Sequence, residues 1–272
     1  MNARQPPSDS SLLVRREDVA GVATLTFKTP KNCNALSLAM IEALLAIIGA
    51  IRTDKTVRAV VLAGDGPAFS AGHDLKELLA HRNDPDAGET FYVRVMTQCA
   101  DLMQAIAALR KPVIAAVEGV ATAAGCQLVA TCDLAIAGEA ARFALPGVNI
   151  ALFCSSPLVA VARTIAKKHA MEMALTGDLY DARAAERFGL VNRVVPEGAA
   201  LKEAQALAAR VGAHSAPTVA LGKRVFYKQI ETPLAEAYAL AAQAMVDNLA
   251  LADAAEGISA FLEKRAPKWE DK

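Results

Sequence analysis

The stretch Lys111–Cys132, KPVIAAVEGVATAAGCQLVATC, leaves this chain the fewest choices. A Lys-Pro step opens it, and Val113 to Val117 is a short apolar run of the kind that fills a buried strand. Gly119 and a series of small residues then turn the chain before apolar periodicity resumes as a helix. Small residues at such a turn let a ligand approach the backbone. The first turn of the helix also leaves peptide N–H groups without intrahelical partners, so the junction is suited to hold negative charge.

The rest of the chain fits an α/β reading. Leu12 to Arg16 and Val19 to Phe27 read as two short strands, the second alternating Val22, Thr24, Thr26 with Ala23, Leu25, Phe27. Ser37 is placed to cap an amphipathic helix carrying Met40, Leu44, Ile47, Ile48 and Ile51 on one face. Val57 to Ala63 is a buried-strand run, a long helix spans Asp86 to Leu109, and Asp133 to Ala137 reads as a strand, with Phe143 to Pro146 as an edge segment. From Ser156 onward helical spacing dominates: Asp181–Phe188, Gly198–Val211, Thr218–Ile230, Pro233–Leu249 and Ala252–Lys264, with one strand at Leu190–Val195. Strands and helices first, then helices alone, predict one α/β unit with a helical C-terminal part. The boundaries expected are a disordered leader over 1–10, an α/β core over 11–200 and a helical region over 201–272 of the same structural unit.

Composition excludes several classes. The 29 basic and 29 acidic side chains cancel, which gives no support for nucleic-acid or general membrane-surface binding. No uninterrupted apolar run reaches the roughly 18 residues of a membrane span, and the N-terminal MNARQPPSDSS has neither an apolar signal region nor a transit-peptide character. The five cysteines, Cys33, Cys99, Cys126, Cys132 and Cys154, form no CxxC pair and read as reduced thiols. A cytoplasmic protein is expected from these features. His81, His169 and His214 have no carboxylate or cysteine at ligand spacing, so no metal site is expected. Gly64-x-Gly66 lacks the third glycine of a dinucleotide fingerprint, Phe69 standing in its place. Walker A, HExxH and GxSxG motifs do not occur.

A second segment, Pro67-Ala-Phe-Ser-Ala-Gly-His-Asp-Leu-Lys-Glu-Leu78, also leads from a buried strand through small residues into a helix. It resembles the FxAGxDL motif of the crotonase (enoyl-CoA hydratase/isomerase) superfamily, and Lys111–Cys132 resembles that family's oxyanion-hole strand and helix. The likeness extends to Thr29–Leu36, Leu175–Asp178 and Phe261–Arg265, covering about Val22 to Trp269. Gly119-Val-Ala-Thr-Ala-Ala-Gly-Cys-Gln127 and Pro146-Gly-Val-Asn149 to Ser155 are most similar to the enoyl-CoA hydratase domain-containing subfamily.

This resemblance implies a crotonase-like spiral of ββα turns with a helical trimerisation region, assembled as a homotrimer or a hexamer made of two trimers. It implies an acyl-CoA thioester as ligand, with coenzyme A part of that ligand and no separate cofactor. Matched residue by residue, the backbone N–H groups of His73 and Ala124 would hold the thioester oxygen; preorganised donors of this kind lower a barrier by several kcal/mol. Asp74 would brace its loop by accepting backbone N–H bonds. Ala35, Ala71, Leu75, Gly125 and Cys154 would lie against the ligand, and Lys31, Lys76, Lys264 and Lys268 near its phosphates.

The chain departs from the family at two positions. The two catalytic glutamates of the hydratases correspond to Gln127 and to Gly147. Glutamine can orient a water or a substrate but does not exchange a proton as a carboxylate does. Losing one general acid or base costs about 10²–10⁴-fold, so ordinary two-glutamate hydration is not expected. Cys154 could serve as base or nucleophile or simply pack. Gly147 could leave room for a water or an anion. Three functions remain open: an enzyme with hydratase- or isomerase-like enolate chemistry, an acyl-CoA-binding pseudoenzyme or regulator, and a structural subunit.

Overall fold

Val14–Val19 (β1) and Val22–Phe27 (β2) form an antiparallel hairpin that turns at Ala20-Gly21. Both turn residues have positive φ, 48° and 81°, as a two-residue hairpin turn requires. Val19 therefore ends the first strand and does not begin the second. This computed structural model describes residues 13–272, so the leader expected over 1–10 lies outside the described residues.

The main sheet has the order β1-β2-β3-β5-β7-β10, with β3 at Ala59–Gly64, β5 at Val113–Val117, β7 at Leu134–Gly138 and β10 at Arg193–Val195. Apart from the hairpin, every pairing in it is parallel. Both faces are covered, as parallel sheets require. Val60, Leu62, Val113, Ala115 and Val117 join one apolar cluster, and Ala59, Val61, Ile114, Ala116 and Ile136 join the other. The first face packs on α1 (Leu38–Thr53), α3 (Glu89–Ala108) and α4 (Ala124–Thr131). The second packs on α8 (Ala200–Gly212), whose Ala200, Ala204 and Ala208 repeat at one-turn spacing and admit the helix closely. Thus α8, although within the region read as C-terminal, is a core helix.

Ser37 caps α1, its hydroxyl accepting the Met40 N–H at 3.2 Å. Asp181 caps α7 (Ala182–Phe188) through Ala184 N–H at 2.7 Å. Between the core and α7 lie α5 (Ser155–Thr164) and α6 (Lys167–Thr176), and after α8 the chain closes with α9 (Ala216–Gln229), α10 (Leu234–Leu249) and α11 (Ala252–Leu262). A partly buried ion pair fixes α9: Lys223 Nζ lies 2.7 Å from Asp133 Oδ2, and that carboxylate also accepts Val113 N–H and Tyr227 O–H. The helix is thereby tied to the start of β5.

A second sheet, β4-β6-β8-β9, positions the site. Its strands are Ala68–Ser70, Val120–Thr122, Arg142–Ala144 and Tyr180–Asp181, and β4, β6 and β8 are mutually parallel. Each of these three follows a strand of the main sheet, β3, β5 and β7, so the chain climbs as a spiral of strand pairs. A helix begins soon after β4 and β6, namely α2 (Leu75–Ala80) and α4, and a 3-10 turn (Pro146–Ile150) follows β8. Among the described residues no helix is long and apolar enough to cross a membrane.

Candidate active site

Three parallel neighbours end side by side, so the loops after β4, β6 and β8 converge about one strand spacing, ~4.8 Å, apart. Ligands of α/β folds gather at such carboxyl ends of strands. The first loop is Ala71-Gly72-His73-Asp74, the second Ala123-Ala124, the third Leu145-Pro146-Gly147.

The first two loops touch. Gly72 has φ 89°, and a Cβ there would stand 2.9 Å from Ala123 Cβ and 3.1 Å from Ala124 N. Only glycine permits both that backbone and that approach. Thr122 Oγ1 donates to Ala71 O at 3.1 Å, bridging the loops. Gly125 meets the Ser70 carbonyl with no room for a side chain. Ala123 is held at φ 49°, ψ −119°, a conformation that costs a non-glycine residue about 1–3 kcal/mol. Its N–H donates to Ala144 O and its carbonyl accepts Gln127 N–H, both at 3.0 Å. Strain at Ala123 thus aims the start of α4, and the Ala124 N–H, at the first turn, has no intrahelical acceptor. Neither His73 N–H nor Ala124 N–H donates to a loop acceptor among the described residues. Two free donors on adjoining loops can hold one negatively charged oxygen.

Around them the first loop is braced. Asp74 Oδ1 accepts the N–H groups of Lys76 and Glu77 at 2.9 and 3.2 Å, capping α2. The segment 33–36 runs alongside through Ala71 N–H to Cys33 O at 2.9 Å and Leu36 N–H to Gly72 O at 2.7 Å. His73 Nδ1 lies 3.3 Å from Leu36 O; a carbonyl only accepts, so Nδ1 carries the proton. Burial pushes the His73 imidazole below its ordinary value, against the Leu36 hydrogen bond, and keeps the ring neutral near pH 7.

Ala35 and Ala71 lie on these two adjoining segments, Lys31 just before the first and Leu75 and Lys76 at the start of α2, the lysines with exposed side chains. Lys264 sits past the end of α11, in a C-terminal segment where Arg265 and the Lys268 N–H donate back to Glu256 of that helix and Trp269 Nε1 donates to Ala213 O. Within one chain it is not joined to the site loops by any hydrogen bond among the described residues.

Gln127 occupies the second turn of α4, 5% exposed, and its Oε1 is buried without a donor. Gly147 is not an open space. A Cβ there would stand 2.7 Å from Leu152 O and 2.9 Å from Cys154 Sγ, while Leu152 N–H donates to Gly147 O at 3.0 Å. The turn closes on itself and the Cys154 thiol fills what remains, which corrects the expectation of room for a water or an anion. Burial raises the Cys154 thiol above its ordinary value, with the Gly147 N–H partly opposing, so it stays protonated near neutral pH and is no thiolate nucleophile. Cys126, fully buried beside Gln127, is pushed up to about 12.

Two supports of the site were missed in the sequence. Asn34, at φ 50°, donates to Asp65 O and Ala68 O at 2.9 and 2.7 Å and accepts Thr29 N–H at 3.0 Å, locking the segment beside the first loop. An asparagine between polar and small residues is the usual signature of such a left-handed position. Glu77 accepts Leu38 N–H at 3.0 Å and ties α2 to α1 across distant sequence. No local pattern announces that bond. Among the described residues no group of three or more His, Cys, Asp or Glu side chains is arranged to hold a metal.

The sequence model of the family described as Enoyl-CoA hydratase/isomerase matches residues 17–272. The chain belongs to that family. Enoyl-CoA hydratase domain-containing protein 3, mitochondrial, from Rattus norvegicus is 43% identical over 264 residues, covering 97% of this chain and 86% of the relative. The Homo sapiens protein of the same name is 45% identical over 249 residues, covering 92% and 80%. The crystal structure of the human protein superposes with a TM-score of 0.90 at 44% identity, over 94% of this chain and 100% of that one. An enoyl-CoA hydratase structure from Mycobacterium smegmatis gives 0.89 at 49%, over 94% and 98%. The crotonase-type α/β fold expected from the motifs is therefore the fold of this family member. The cytoplasmic expectation is overturned, since these relatives are named mitochondrial. Composition and thiol count carry no address, which is why they misled.

Proposed function

We propose that this family member binds an acyl-CoA thioester and stabilises its enolate-like state through the backbone N–H groups of His73 and Ala124, without the two-carboxylate hydration of the hydratases. The observation that carries the reading is the close approach of Gly72 to Ala123 and Ala124, which brings two free donors onto adjoining loops. Proton transfer by a carboxylate pair has no counterpart: Gln127 stands in one position and the other is closed by Leu152 and Cys154. Coenzyme A enters as part of the ligand, with Lys31 and Lys76 exposed beside the loops for its phosphates.

A second reading, an acyl-CoA-binding protein with no turnover, is supported by the same closed turn at Gly147. One experiment separates the two. A non-reactive thioether analogue of butyryl-CoA is titrated calorimetrically, and exchange of the α-protons of butyryl-CoA in D₂O is followed by NMR. Binding with enzyme-dependent exchange, in which a solvent base takes the α-proton, the two N–H groups hold the enolate oxygen and solvent returns a deuteron to carbon, is the expected result; binding without exchange selects the second reading. Rapid hydration of crotonyl-CoA by the wild type would overturn both.

The exposed apolar side chains Phe226, Leu234, Tyr238 and Met245 on α9 and α10 border a cavity of about 690 Å³ and support association of several copies. A trimer or a hexamer is the expected mass in light scattering.

A further inference from the structure

The 29 basic and 29 acidic side chains cancel over the chain but not along every surface. Cavities of about 730, 280 and 540 Å³ all have Arg110 and Ala220 in their walls, and together they form one groove that runs past the ends of α1 and α3 along α9. The side chains of Arg52, Lys55, Arg110, Arg224 and Lys228 line it, and none of the five makes a hydrogen bond or an ion pair with a described residue. The carboxylates along the groove are mostly committed: Asp54 is paired with Arg16, Asp271 with Arg58 and Glu270 with Lys272. Asp247 has no cation among the described residues, and its Oδ1 accepts Gln243 Nε2 at 2.9 Å.

Two of the cations share walls. Arg110 and Arg224 line both the 280 Å³ and the 540 Å³ cavities, and Lys228 follows Arg224 by four residues on α9. Like charges at that spacing oppose the helix, and charges of one sign around a cleft add their potentials. A capping role does not explain Arg110, which stands just beyond α3. Lys223 Nζ already donates to the Ile106 and Lys111 carbonyls at 3.2 and 3.1 Å, and Asp133 matches its charge. The free guanidiniums are therefore matched only by an anion from outside. A guanidinium holds a carboxylate or a phosphate through paired N–H bonds, and two of them suit the double charge of a phosphate monoester better than the single charge of a carboxylate. Ala107, Ala108, Leu109 and Tyr227 give the 540 Å³ cavity an apolar stretch of wall beside these charges.

We propose that the groove around Arg110 is a second binding site, for a small phosphate monoester with an apolar or aromatic body. Its phosphate lies between Arg110 and Arg224 with Lys228 alongside, and its body rests against Leu109 and Tyr227. The site is separate from the oxyanion loops. Arg110 precedes β5 (Val113–Val117), and that strand, about 16 Å of extended chain, stands between it and the turn into β6. No residue of the loops after β4, β6 and β8 lines the groove, so the inference stands whether or not the thioester reading holds.

The test is calorimetric titration of the intact protein with phenyl phosphate, benzoate and inorganic phosphate, at fixed ionic strength and pH 8, where a monoester is doubly charged. Phenyl phosphate is expected to bind once per chain, at least about tenfold more tightly than singly charged benzoate. It should also bind more tightly than inorganic phosphate, which lacks the apolar body. Arg110→Gln and Arg224→Gln should each weaken it about tenfold or more without lowering the melting temperature, because neither side chain is bonded within the chain. Arg224→Lys, which keeps the charge but loses the fork, should recover only part. The control is Arg187→Gln, at an exposed arginine of α7, which should change nothing. Absence of phenyl phosphate binding, an affinity no better than that of benzoate or inorganic phosphate, an equal loss in the Arg187 variant, or undiminished binding in both groove variants overturns the inference. A changed assembly mass in the groove variants, read by light scattering, overturns it too, by assigning the arginines to a neighbouring copy of the chain.

Discussion

The Cys154 thiol stands 2.9 Å from where a side chain on Gly147 would have to begin, and the Leu152 carbonyl stands 2.7 Å from it. Position 147 is therefore committed to glycine by its own turn. Gly147→Ala is expected to cost about 1–3 kcal/mol through overpacking, a fall of roughly 2–4 °C in melting temperature per kcal/mol. Replacing Gln127 and Gly147 together by glutamate is expected to yield a destabilised protein without crotonyl-CoA hydration. Thermal melts and a hydration assay check both; a stable, active double variant would mean that the turn opens.

Ala123 holds a backbone conformation that glycine adopts freely. Ala123→Gly should relieve strain, and the extra freedom of the unfolded chain offsets part of that gain. The net expectation is higher stability by the order of 1 kcal/mol together with weaker binding of an acyl-CoA analogue, because the Ala124 N–H is aimed less firmly. Urea titration and calorimetry on one sample would read both. Tighter binding would contradict the role given to the strain.

Lys223 and Asp133 form a partly buried pair whose carboxylate also serves Val113 and Tyr227. Lys223→Met leaves that charge partly unmatched, with the Val113 N–H and Tyr227 O–H still in place, and should cost about 1–3 kcal/mol. In the double variant Lys223→Met, Asp133→Asn the loss should be smaller than the sum of the single losses. A double-mutant cycle from denaturant melts measures the difference, and strict additivity would deny the coupling.

His73 has a native value below its ordinary 6.5 because burial disfavours the charged ring. Below pH 6.5 the unfolded chain takes up a proton that the native chain declines, so stability falls with falling pH until the native value is passed. Above 6.5 both states are neutral and the dependence vanishes. The slope of melting temperature against pH between about 6.5 and 5 should be flatter in His73→Gln than in wild type. An unchanged slope would place the titration elsewhere.

Much of this architecture is legible in the order of the residues. The caps at Ser37 and Asp181, the turns at Gly72 and Gly119, and the long helices all carry local signals in residue type and spacing. The second sheet does not. Ala68–Ser70, Val120–Thr122 and Arg142–Ala144 are three residues each, too short to show a period, and their hydrogen bonds come from strands distant in sequence. The small-residue runs read as turns are in part these strands.

The residues themselves determined that the chain is an α/β protein of one family, that two small-residue loops lead into helices, and that the carboxylates implied at positions 127 and 147 are a glutamine and a glycine. Only the tertiary structure decided that three strand ends lie side by side, that Asn34 and Glu77 hold the first loop, and that Gly147 is closed by Leu152 and Cys154 while the Gln127 carboxamide is left unmet. The division has a physical cause. Propensity and capping act over a few residues and are written locally, whereas strand adjacency, close packing and the unpaired state of a buried atom depend on distances through space between parts of the chain that the sequence keeps far apart.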